Sequence, residues 1–265
     1  LLLVHLREEE KGADARLSEV LSYALDGYAY ETAMEISAFE DYVNRWRRLE
    51  KTQNRKNPVQ GRILFAVPLG TSGINLELYR LIRFLREHPD FLNGFVGGLL
   101  VDSENDLYSK SAAKDLVFAA NCAGCAFVGR PLVEGTRTLS NYTIVSNNLG
   151  TDLMGAYRES AAGLVKEVLG TDCVRKKCPK VLVLHASSHK TSNTYAIWDR
   201  VKEQLPEMEI REIGLRNGTL SDCAGCPYKM CLHFGEQGSC FYGGVMVEDV
   251  YPAVREADAI VMLCP

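Results

Sequence analysis

The sequence has no apolar run near the ~20 residues that a membrane-spanning helix requires. It has no basic excess either. Thirty Lys and Arg stand against 34 Asp and Glu, a net charge of −4. That balance speaks against nucleic acid or an anionic membrane as the main partner. Leu1 to Leu6 is apolar, but no basic segment precedes it and Arg7-Glu8-Glu9-Glu10-Lys11 follows at once. Such a start is too short and wrongly flanked for a signal peptide, so a cytoplasmic protein is expected. What is present suits an ordinary globular chain: 265 residues, 46% hydrophobic and 24% charged. A chain of this size buries roughly 70–75% of its unfolded surface and needs no staples. The nine cysteines are therefore read as reduced thiols, some of them metal ligands, rather than as a disulfide framework.

The hydrophobic pattern divides the chain in three. Residues 1–60 read as mainly helical, with Leu17, Val20, Leu21 and Ala24, then Ala33, Ile36, Phe39, Tyr42 and Val43, at helical spacing. Pro58 and Gly61 mark a boundary. Residues 61–170 alternate. Strands are expected at Ile63–Leu69, Phe95–Val101 and Phe127–Val133, and helices at Asn75–Glu87, Lys110–Asn121 and roughly 139–169. Strands alternating with helices imply a parallel sheet with right-handed crossovers. Residues 171–179 read as a linker. A second α/β region, 180–265, carries strands at 180–185, 209–215 and 259–264, with helices at 193–205 and 247–257. An apolar strand directly before Pro265 leads to the expectation that further residues complete this region. The expected fold class is α/β, a doubly wound parallel sheet in two halves with an N-terminal helical segment.

Within Lys180–Trp198 a buried strand leads through hydroxyl and amide side chains into a helix. Ser187, Ser188, Thr191, Ser192, Asn193 and Thr194 crowd the turn. The free N–H groups and positive dipole end of the helix make this an anion site. The turn has too few glycines for a dinucleotide fingerprint and lacks the Gly-Lys-Ser/Thr of a P-loop. A mononucleotide is the better guess, with flavin mononucleotide (FMN) first. His185 closes the strand and reads as a packed core histidine rather than a catalyst. Downstream, Cys223, Cys226, Cys231 and Cys240 follow the pattern C-x2-C-x4-C-x8-C. Four thiolates in eighteen residues suit a 4Fe–4S cluster or, less well, tetrahedral zinc. A metal-free set of thiols is the third reading. Cys122 and Cys125 form a second C-x2-C that reads as structural.

These features resemble the flavodoxin-like NAD(P)H-dependent FMN reductases, including their iron–sulfur flavoprotein branch. Ala186 to Thr194 is similar to the family's phosphate loop, Asp222-Cys-x2-Cys through Gly238-Ser-Cys240 to its cysteine loop, and Glu256-Ala-Asp-Ala-Ile-Val261 to its third-strand approach. Two departures stand out: Ala186 replaces the family's first glycine and His189 its usual arginine. The resemblance implies a flavin-dependent oxidoreductase with NAD(P)H as co-substrate. It places FMN on Ser187, His189, Ser192, Asn193, Thr194 and Pro265, with a possible cluster on the four cysteines. It also implies a small-molecule or protein electron acceptor and a homo-oligomer. Residues 62–170 read as a spent copy of the same fold. The rival readings are a non-enzymatic redox carrier or sensor and a zinc-binding structural module.

Overall fold

The computed structural model describes residues 1–7, 11–52, 60–173, 176–186, 192–215 and 220–264. The chain divides into two compact units, Leu1–Cys173 and Val174–Pro265.

The first unit opens with β1 (Leu2–His5), α1 (Lys11–Ala24), β2 (Glu31–Ala33) and α2 (Ile36–Thr52). It continues with β3 (Gly61–Leu69), α3 (Leu76–Glu87), β4 (Phe95–Ser103) and α4 (Ser109–Cys122). It ends with β5 (Ala126–Gly135), α5 (Thr143–Leu149) and α6 (Leu153–Gly170). The strands form one parallel sheet in the order β2-β1-β3-β4-β5, which is the flavodoxin-like order. Successive strand side chains alternate between faces. Leu2, Val4, Ile63 and Phe65 meet α2, α3 and α4 on one side. Leu3, Leu64, Ala66 and Leu100 meet α1 and α6 on the other. The sheet is therefore doubly wound, as its sequence pattern implies. Helix α6 approaches closely because Gly98 has no side chain: a Cβ there would lie 2.8 Å from Val168 and 2.9 Å from Leu164.

Residues 1–60 correct the expectation of a separate helical segment. They supply two strands of this sheet as well as two helices, and Ala33 lies in β2 rather than on a helix face. The four residues of β1 are too few to show a period. Leu2, Leu3, Val4 and Leu6 are almost fully buried, and each such burial contributes about 1.5–3 kcal/mol. That offsets the roughly 1–2 kcal/mol per residue of backbone ordering. Tertiary burial, not local pattern, makes this strand.

The second unit contains β6 (Lys180–His185), α7 (Asn193–Lys202), β7 (Glu209–Gly214), α8 (Tyr228–Gly235), a π turn (Met246–Val250), α9 (Tyr251–Glu256) and β8 (Ala259–Leu263). The strands are parallel in the order β7-β6-β8. Its small core joins Val181 and Val183 to Tyr195 and Trp198. Two local expectations change. The cysteine loop contains a helix, α8, and the helix expected over 247–257 begins as the π turn. Among the described residues no helix is long and apolar enough to cross a membrane.

Candidate functional site

In the second unit the chain leaves β6 towards β7 on one side and returns as β8 on the other. The loop after β6 thus opens at a switch point, where α/β sheets take ligands. Ser187, His189 and Pro265 lie outside the described residues, as do Ser188, Lys190 and Thr191. Ser192, Asn193 and Thr194 are described and stand together at the start of α7. Ser192 has extended backbone (φ −93°, ψ 114°), and its hydroxyl accepts from the Tyr195 N–H at 3.2 Å. This is the N-cap that a Ser before a helix predicts. The first intrahelical bond runs from the Ala196 N–H to the Ser192 carbonyl at 3.1 Å. The N–H groups of Asn193 and Thr194 come before it, so they are among the donors a helix leaves for an anion. Asn193 is exposed and Thr194 half-buried.

What holds α7 at that angle was not visible in the spacing. Glu212 on β7 receives the Trp198 indole N–H at 3.1 Å, the Lys202 ammonium at 2.9 Å and the Tyr195 hydroxyl. Burial would raise the Glu212 pKa, but the three donors outweigh it and hold it down at about 2. A carboxylate two residues after Ile210, on the same face of the strand, was the available signal, and it reads equally well as a solvated strand position. His185 is 5% exposed and meets the Tyr195 ring edge-on, with centroids 5.0 Å apart. It is buried against Tyr195, as a core histidine would be.

The four cysteines of the C-x2-C-x4-C-x8-C pattern are spread along the loop. Cys223 and Cys231 are exposed, and Cys226 and Cys240 half-buried. Among the described residues no group of three or more His, Cys, Asp or Glu side chains is arranged to hold a metal ion. Helix α8 carries Cys231 and lies in the sequence between the Cys223–Cys226 pair and Cys240. In this structure Cys223, Cys226, Cys231 and Cys240 are therefore not gathered into the single site expected for a cluster or zinc.

Residues 179–265 match the family model of the NADPH-dependent FMN reductases. The resemblance seen over residues 180–265 holds, and the flavodoxin-like class with it. The match spans about a third of the chain. It supports a flavin-dependent function of the NAD(P)H reductase type, and the family implies FMN and NAD(P)H. No curated protein and no solved structure matches the chain.

The first unit has a carboxyl edge of its own. Asn75, fully buried, ties it together: its amide donates to the Leu6 and Pro68 carbonyls at 3.1 and 2.8 Å and accepts from the Leu78 N–H at 2.8 Å. Asp102, at the end of β4, holds the Arg16 guanidinium through Nε (3.1 and 3.0 Å) and Nη2 (2.7 Å). Burial raises the Asp102 pKa more than Arg16 lowers it. Neither Arg16 nor Asp102 was expected as a site residue. The available clue was a carboxylate ending the apolar run Leu99-Leu100-Val101.

Proposed function

We propose that the chain is a flavin-dependent NAD(P)H oxidoreductase whose second unit holds the FMN phosphate on the loop after β6 and the first turn of α7. Ser187, His189, Ser192, Asn193 and Thr194 are the proposed contacts, with Pro265 near the flavin ring. The observation that carries this reading is the Ser192-capped start of α7 at the switch point. The residues fit the group. The Asn193 and Thr194 N–H groups and the Ser192, Asn193 and Thr194 side chains supply donors without a competing carboxylate on the first turn. When bound, FMN supplies hydride acceptance from NAD(P)H; the protein's part is to bind and orient it. Glu212 fixes α7 through three donors and so positions the anion site without touching the ligand. No electron route through the cysteines is part of this reading.

The acceptor is proposed to be a small molecule or a redox protein, and the working form a homo-oligomer, which light scattering would check. The deciding test is an absorbance titration of the full chain with FMN. A bound-flavin band is expected, and Ser192→Ala/Asn193→Ala should weaken binding by about tenfold or more, as expected on losing one or more phosphate contacts. Trp198 fluorescence would verify that the variant is folded. A wild-type protein that ignores FMN would refute the proposal. FMN binding without NAD(P)H oxidation would make the chain a carrier instead of an enzyme.

A further inference from the structure

The carboxyl edge of the first unit holds a corner that the flavin reading does not use. The chain leaves β1 towards β2 on one side and leaves β3 towards β4 on the other, so the ends of β1 and β3 flank a switch point. Helix α1, 14 residues long, begins there, beside a cleft of about 470 Å³ lined by Gly12, Ala13, Arg16, Thr71, Glu104 and Arg137. The first N–H groups of such a helix have no intrahelical partner. In this unit a carboxylate already sits on one of them. Glu104, one residue past β4, accepts from the Ala13 N–H through Oε1 at 3.2 Å. A Cβ built on Gly12 would fall 1.9 Å from the same oxygen and 3.0 Å from the Glu104 carboxyl carbon. Only glycine at 12 lets the carboxylate lie against the helix backbone. The Glu104 backbone is itself anchored, its N–H donating to the Leu69 carbonyl at 3.0 Å.

We propose that Glu104 is a built-in substitute for a bound phosphate, closing this corner to mononucleotides. Its carboxylate takes the place and the hydrogen bond that a phosphate oxygen would take, and its charge repels a second anion. Asp102 already engages Arg16, which leaves Arg137 as the other cation lining the cleft. The corresponding corner of the second unit offers Ser192, Asn193 and Thr194, which are neutral.

Hydrogen exchange of peptides covering residues 11–24, in the full chain, tests this with inorganic phosphate as the probe. In the wild type, phosphate should change exchange no more than chloride at equal ionic strength. In Glu104→Ala, first-turn exchange should quicken roughly tenfold, as for loss of a helix cap, and phosphate should bring it back to within about twofold. Glu104→Gln, which keeps the acceptor oxygen and drops the charge, is the second variant should Ala prevent folding. Its exchange should also slow on adding phosphate. Phosphate protection in the wild type, unchanged exchange in Glu104→Ala, or variants indifferent to phosphate would each overturn the proposal. Peptides covering Asn193–Lys202 report separately on the second unit, so failure of the flavin reading leaves this test intact.

Discussion

The two units begin with the same parallel three-strand arrangement and treat its third strand differently. In the first unit β3 lies between β1 and β4, pairs with β4 over nine residues, and is almost wholly buried. In the second, β8 pairs only with β6 among the described residues, and Ile260 and Met262 remain 45% and 68% exposed. The apolar sequence of a strand is thus no measure of its burial; its neighbours decide. The carboxyl edges differ in the same way. One is bound together by buried side chains and has the Glu104 carboxylate on a helix start, the other carries hydroxyl and amide groups at a helix start.

The chain has two tryptophans, Trp46 in the first unit and Trp198 in the second, so each unit can be followed alone in a Trp→Phe background of the other. The comparison breaks most easily at Asp102. Asp102→Ala would leave the partly buried Arg16 guanidinium uncompensated. A loss of about 3–5 kcal/mol is expected from the first unit, seen as a lower urea midpoint for Trp46 with Trp198 unmoved. If the Trp46 midpoint stayed put, the network would not be what holds this edge. Next comes Asn75→Ala. Removing a helix cap and orphaning two buried carbonyls should cost about 2–3 kcal/mol in the same unit. Ser192→Ala should cost the second unit only about 1 kcal/mol. An equal loss from Asn75→Ala and Ser192→Ala would mean the two edges are built alike.

The smallest effect near neutrality is a difference in acid response. Burial lowers the His5 pKa below 6.5, although Asp14 bonds its ring at 2.8 Å. The unfolded chain then binds more protons just below pH 6.5, so the first unit should begin to lose stability as the pH falls through that range. Glu212 runs the other way. Its pKa is held down at about 2 from an ordinary 4.5, so its contribution is fully present above pH 4.5 and fades as the pH falls towards 2. Urea midpoints at about pH 7 and about pH 5.5 should therefore fall for Trp46 and hold for Trp198. His5→Gln should remove the Trp46 shift.

Much of the second unit's candidate site was legible because it is local. A hydroxyl before a helix caps it wherever the helix sits, and Ser192 does so. Glu212, Asp102 and Glu104 were not legible, because each acts on a residue far along the chain. Glu104 reaches Ala13 across 91 positions and Asp102 reaches Arg16 across 86. The four cysteines mark the opposite limit. Their spacing permits a metal set, but the structure does not gather three or more of them into one site.

Alternation of apolar and amphipathic segments was enough to determine α/β layering in both regions, since periods of 2 and 3.6 dictate which faces must be buried. The residues of the loop after β6 likewise determined that an anion was the ligand to consider. Only the tertiary structure decided that Leu2–His5 is an interior strand and that residues 1–60 belong to the first sheet. It also decided that one helix start is occupied by the chain's own carboxylate. Strand neighbours and carboxylate partners depend on distances between segments remote in sequence, and no local period encodes them.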